Sequence, residues 1–257
     1  MQDEHEGEEE RRPEYPMEFA GRIRVFTERS RVAVQGHLAH LALQGRDDPL
    51  AARVLPMLQA VEDVIEEDIQ VWASHHPVWA WAGRVKGSGA MVTGAVMSRC
   101  DITRVNTVSA MWAHYGFAPD QRRVKGEKLT YDAIGRTLCW RLGSQLLKAN
   151  GLFKPLYDER KAYLQARIAG RGGIIYPAVP GKTRDLPDDT LGHVHNDAMR
   201  YMIKGYLACL WKVWREAEGL PIPPPYSVAI LGHTTEWEPE KFADRKAPTP
   251  AKKRVRT

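Results

Sequence analysis

An almost entirely α-helical fold is expected from three features of the 257-residue chain. Apolar residues recur three and four apart over several long windows, the spacing that lays one stripe along a helix. Gly, Asp and Pro punctuate these windows where helix ends call for them. No stretch reads convincingly as a strand, and no internal repeat is present.

The first helix is expected over 17–44, where Phe19, Ile23, Phe26, Val34, Leu38 and Leu41 lie mostly three, four or seven to eight apart. "QGRDDP" ends it: Gly45 serves as a C-terminal cap, Asp48 as the next N-cap, and Pro49 opens the second helix. That helix, 49–74, carries Val54, Leu58, Val61, Ile65, Ile69 and Trp72 as one stripe. Its other face bears Glu62, Asp63, Glu66, Glu67 and Asp68. These acids read as a solvated face, because neighbours in sequence point apart on a helix and no histidine joins them to hold a metal. Residues 17–76 together read as an antiparallel helical hairpin or coiled-coil arm. Such an arm is expected to join copies of the chain into a homo-oligomer.

His75 and His76 precede a proline at a helix end, where histidine is favoured. Further helices are expected over about 89–99, near 130–150 on Ile134, Leu138, Leu142 and Leu146, and over 154–169. Residues 170–192, rich in Gly, Pro and Asp, read as a long loop. A last helix near 196–218 carries Met199, Met202, Ile203, Tyr206, Leu210, Trp211 and Trp214, and is stopped by Gly219 and Pro221. The expected organisation is a disordered acidic stretch 1–16, the hairpin 17–76, a helical domain 77–232 and a basic disordered tail 233–257.

An apolar content of 43% suffices for a real core, and the longest apolar run is far too short to span a bilayer. The start, "MQDEHEGEEERRPE", is acidic and polar and has no signal-peptide pattern. A soluble, cytoplasmic protein with no membrane partner is expected. Cys100, Cys139 and Cys209 are far apart, with no CxxC pair, and read as small buried side chains. Charge is uneven. The first fourteen residues hold seven acids, and the last seventeen hold seven bases. Residues 120–171 carry twelve Lys/Arg against five Asp/Glu inside the folded part. A folded segment this basic suits a polyanion such as DNA or RNA.

The stretch "GRVKGSGAMVTGAVM", 83–97, holds the most suggestive motif. "GSGAMVTG" is one residue too long for a dinucleotide fingerprint and follows no strand, and the Gly-Lys-Ser/Thr end of a Walker loop is absent. No cofactor is therefore implied. The remaining reading is a helix-hairpin-helix. In that element a glycine turn lets backbone approach a phosphate, and the N–H groups opening the next helix face the anion. Lys86, Gly87, Ser88 and Gly89 are the candidate residues, with Lys86 adding a charge. Ser88 occupies a middle position that is usually apolar. Arg122, Arg123, Lys125 and Lys128 would neutralise further phosphates. Tyr115 and Phe117 could stack on bases but read more readily as core.

The order of these features resembles the C-terminal half of Piv-type insertion-sequence transposases, the family that includes the bridge-RNA-guided recombinases. Lys86-Gly87-Ser88-Gly89 stands where that family has Pro-Gly-Ile-Gly, Asp101-Ile102 in its aspartate region, Tyr115 to Pro119 in its aromatic-Gly-Leu-x-Pro segment, and Gly135-Arg136 on its small-residue helix. The resemblance covers about 17–232. It implies DNA binding, duplex or junction, with structured RNA as an alternative, and a role in transposition or recombination. Two departures stand out. The family's RNase H-like domain with its metal-binding acids has no counterpart, and Lys125-Gly126 stands where the family places a nucleophilic Ser-Gly pair. A phosphodiester attack needs a hydroxyl there. The resemblance thus implies a nucleic-acid-binding half that does not cut by itself, with no catalytic residue of its own.

Three other readings are open. The chain could be part of an active transposase whose catalytic acids come from a partner. It could be a metal-dependent hydrolase using His193 and His195, with Asp197 and His233, if the HxH stretch is extended. It could be a helical interaction protein with no nucleic-acid ligand.

Overall fold

A computed structural model describes residues 17–119, 121, 126–173, 175, 190–224, 237–246 and 249. Among them are eight α-helices and two 3-10 turns, and no strand. Helices α1 (Glu18–Leu43) and α2 (Pro49–His75) are followed by the short α3 (Trp79–Ala82) and α4 (Ala90–Met97). Then come α5 (Val108–His114), α6 (Ala133–Ala149), α7 (Lys154–Gly170) and α8 (Leu191–Ala217). The fold is all-α, and none of its described helices is long and apolar enough to cross a membrane.

The expected break between the first two helices is met by its expected residues. Asp48 accepts the Ala51 N–H at 3.0 Å, Pro49 opens α2, and Gly45 takes φ +65°. Across the pair, Arg24 meets Glu66 at 2.5 Å, Arg31 meets Glu62 at 2.5 Å and His37 meets Asp48 at 3.1 Å. Partner numbers fall on α2 as they rise on α1, so the two helices run antiparallel. The acidic face of α2 is therefore not wholly a solvated one. Glu62 is buried and, with Glu66, draws the arginines of α1 inward, and Arg24 is buried with them. Apolar side chains remain exposed along both helices, among them Phe26 and Val32 on α1 and Met57, Val61 and Val64 on α2.

Helix α8 forms the centre. Met199, Met202, Ile203, Tyr206, Leu207, Leu210, Trp211 and Trp214 are all buried, and α5, α6, α7 and both 3-10 turns pack against this helix. Each such side chain adds roughly 1.5–3 kcal/mol over leaving it in water. The loop before α5 is tied to the same helix by polar bonds. Trp211 Nε1 donates to the Val105 carbonyl at 2.8 Å, and the buried Arg215 donates to the carbonyls of Ile102 and Pro221. All three cysteines are buried and unbonded to one another, and burial raises each thiol's pKa, Cys100 to about 12.

Two expectations are corrected here. The last helix begins at Leu191 rather than near 196, because Thr190 caps it by accepting the His193 N–H. The expected tail also does not start at 233 as one disordered stretch: 237–246 packs on the body. Phe242 stacks on Phe153 at 4.2 Å, Trp237 meets Trp112 and Tyr201 edge-on, and Trp81 Nε1 donates to the Pro239 carbonyl. Two aromatic anchors outweigh the polar composition around them. The expected disordered stretch 1–16 lies outside the described residues.

Breaking the buried ion pairs of the α1–α2 contact has a definite expected cost. Glu62→Ala is expected to lower unfolding stability by about 3 kcal/mol, because it removes the acid that Arg31 is paired with and one of the three around the buried Arg24; urea unfolding at neutral pH measures this. Glu28 adds a pH signature. Burial opposes its charged form, yet Arg141 and Arg24 hold its carboxyl below the ordinary value of 4.5. The stabilisation it contributes is full above that value and is lost as pH falls through the depressed folded value. Glu28→Gln is expected to flatten that part of the acid limb in a stability-against-pH series.

Candidate functional site

The glycine turn joins α3 to α4. Gly87 has φ +88°, and a Cβ there would lie 2.7 Å from the Gln145 carbonyl oxygen and 2.8 Å from the Leu146 Cα. Only glycine lets the turn seat on the backbone of α6 at this distance. Ser88 is fully enclosed. Its hydroxyl lies 2.6 Å from the Tyr206 hydroxyl and 2.8 Å from that of Thr93. The turn's usual apolar plug is replaced by a hydroxyl paired with the central helix, and burial pushes Tyr206 up to about 12. Ser88 is thus corrected from a candidate ligand contact to a residue that positions the turn, since its hydroxyl is enclosed and spent.

The turn does hold an anion, and that anion is the protein's own. Asp244 accepts the Lys86 N–H at 2.7 Å through one carboxylate oxygen and the Leu152 N–H at 2.9 Å through the other. A Cβ at Gly151 would collide with that carboxylate. The segment is held from its own backbone too, because the N–H groups of Asp244 and Arg245 both donate to the Arg84 carbonyl. Among the four turn residues, the side chain of Lys86 and the exposed Gly89, which caps α4, remain at the surface.

A second feature was not anticipated. A cavity of about 380 Å³ opens between the start of α6, the middle of α7, the first half of α8, the segment 116–119 and Gln121. Among the described residues its charged lining is Arg136, Arg160, Arg200 and Lys204 against Asp197, a surplus of three positive charges. Its remaining lining includes Phe117, Gln121 and Tyr201. Three of the four cations are braced by neighbours. Arg136 donates to the Gly116 carbonyl and lies 5.3 Å from the Phe117 ring centre and 5.2 Å from that of Tyr131. Arg160 donates to Asp197 at 2.7 Å and lies over Tyr163 and Tyr201. The Lys204 ammonium sits 4.1 Å from the Trp112 ring centre. Burial, then the neighbouring Arg160, holds that ammonium below its ordinary pKa, with Asp197 acting the other way. Burial does the same to Arg136, and Arg200 adds to it. The cavity therefore favours a negatively charged occupant.

The cavity and the glycine turn are separate places on α6. Arg136 lies near the start of α6, whereas Gly87 seats on Gln145 and Leu146, nine residues later and roughly 14 Å along the axis. Lys128 is exposed in the connection before α6. Arg122, Arg123 and Lys125 lie outside the described residues. Tyr115 is core, fully buried with its hydroxyl on the Val96 carbonyl, and Phe117 is buried but reaches the cavity wall. The cavity was missed because its cations are spread from 136 to 204, and only their convergence in space makes a site. The one available sign was the basic surplus of 120–171.

The metal reading does not survive the secondary structure. His193 and His195 lie inside α8, where residues two apart face different sides. His195 Nδ1 is 2.8 Å from the Tyr157 hydroxyl and Asp197 is bound to Arg160. No three His, Cys, Asp or Glu side chains converge for a metal among the described residues, and His233 lies outside them.

No family model matches the chain, and no curated protein and no solved structure matches it either.

The two glycines of the turn are expected to separate cleanly. Gly87→Ala is expected to cost about 1–3 kcal/mol of stability, since it forces a side chain into a left-handed backbone against α6. Gly89→Ala, in open space at φ −80°, is expected to change stability by under about 1 kcal/mol. Thermal unfolding of the two variants side by side measures the difference.

Proposed function

We propose that this protein binds nucleic acid through its phosphates, with DNA as the leading ligand and a role in transposition or recombination. The observation that supports this best is the cationic cavity with its surplus of three charges, set in the helical region that the basic stretch 120–171 largely builds. Guanidinium groups held by aromatic faces and carbonyls present their planar forks with little further ordering, which suits phosphate. Lys86 and Lys128, both exposed, add charge outside the cavity. Arg122, Arg123 and Lys125 belong to the same basic stretch by sequence. The likeness to the C-terminal half of insertion-sequence transposases supplies the recombination role, and with it a catalytic partner chain as a second form of the same reading. The exposed apolar side chains of α1 and α2 support pairing of two copies through that arm.

The reading weights the turn and the cavity differently. Because Asp244 holds the Lys86 N–H, the turn contributes its exposed lysine side chain rather than a vacant backbone cradle. Contacts from such a lysine to phosphates position a duplex and carry little sequence information.

The expected result is steeply salt-dependent binding to labelled duplex DNA, a four-way junction or structured RNA, measured by fluorescence anisotropy. On duplex DNA the slope of log K against log salt should be about −0.9 for each phosphate neutralised. Lys128→Gln is expected to shallow that slope by about one contact and to weaken all sequences alike. No binding to any of the three at low salt would replace this reading with that of a helical interaction protein.

A further inference from the structure

We infer that the cavity between α6, α7 and α8 is a site for a phosphomonoester, the doubly charged terminal phosphate of a nucleic-acid end or of a free nucleotide. This deepens the nucleic-acid reading by naming the part of the ligand that the cavity takes.

Three observations carry it. The first is charge density: four cations and one acid line a single cavity. A backbone phosphodiester carries one negative charge and continues on both sides, so it suits an open groove. A monoester carries nearly two charges at neutral pH and three acceptor oxygens, and it enters end-on. The surplus of three is offset more fully by the monoester than by the singly charged diester.

The second is donor geometry. Each guanidinium has five N–H donors in a rigid fork. Arg136 spends one on the Gly116 carbonyl, and Arg160 spends one on Asp197. The remaining donors of two braced forks, with Lys204 braced on Trp112, form a preordered set for several oxygens at once. Arg200, exposed on α8 and without an ion pair among the described residues, supplies the fourth cation. Asp197 orients Arg160 rather than filling the site, since one carboxylate leaves three positive charges unmatched.

The third is size and composition. About 380 Å³ exceeds what a phosphate needs and falls within the range of small-ligand pockets. Tyr201 and Phe117 offer ring surface to whatever the phosphate is attached to, and the Gln121 side chain brings an amide, although that amide also bonds the Ala113 carbonyl. A phosphate carrying a sugar and base therefore fits better than a bare ion.

The experiment uses the full chain and compares one duplex carrying 5′-phosphate ends with the same duplex carrying 5′-hydroxyl ends. Inorganic phosphate, adenosine monophosphate and adenosine serve as competitors. The 5′-phosphate duplex is expected to bind about tenfold tighter, as added charge-assisted hydrogen bonds would give. Inorganic phosphate and adenosine monophosphate are expected to compete, and adenosine is not. Arg200→Gln combined with Lys204→Met is expected to erase the preference. Arg46→Gln combined with Arg53→Gln, both exposed and outside the cavity, is the charge-matched control, and thermal unfolding checks that each variant is folded. If the double variant is unfolded, Arg200→Gln alone is expected to reduce the preference, because its side chain is at the surface. Equal affinity for both duplex ends, with no competition by phosphate, would overturn the inference and leave general nucleic-acid binding standing. Binding of phosphate and adenosine monophosphate by a protein that binds no oligonucleotide would support the site while removing the nucleic-acid reading. Absence of all binding would overturn both.

Discussion

The hydrogen bond between Ser88 and Tyr206 is the constraint on which much of this architecture depends. Both hydroxyls are fully buried, and a buried hydroxyl without a partner costs about 1–3 kcal/mol. Each therefore requires the other, at 2.6 Å, with Thr93 closing the cluster. This one contact ties the glycine turn to the middle of the central helix. Gly87 then seats the turn on α6, and the register of α4, α6 and α8 follows.

The cavity inherits its shape from that register. α6 and α8 lie together because Gly143 lets Ile203 approach closely, and α7 lies along α8 with Tyr157 bonded to His195. Three helices held this way bring Arg136, Arg160, Arg200 and Lys204 to one place. Gathering cations costs energy first through burial and then through mutual repulsion, and both hold Lys204 and Arg136 below their ordinary pKa. The fold offsets part of that cost with Asp197 and with the faces of Trp112, Phe117, Tyr131 and Tyr201.

Asp244 shows how a single carboxylate changes the meaning of a motif. Read along the chain, Lys86 to Gly89 present a backbone ready for an external phosphate. In three dimensions a residue more than a hundred and fifty positions later accepts the Lys86 N–H. The Lys86 N–H does bind an oxyanion. The oxyanion comes from within, and it fastens the segment 237–246 to the body alongside Trp237 and Phe242.

What the sequence by itself determined was the local layer. Helical periodicity located α1, α2, α6, α7 and α8, and Asp48, Pro49 and Gly45 marked the break between the first two. These features depend on neighbours within four residues, which a single sequence displays. α5 was not anticipated, because seven residues carry too short a period to register. The tertiary structure alone decided the rest: that Ser88 is core, that Glu62 is buried against arginines instead of solvated, that Asp244 fills the turn, and that four cations from three helices share a cavity. Each of these depends on groups brought together across long stretches of chain, and such meetings are set by packing, which leaves no periodic trace in the residues that meet.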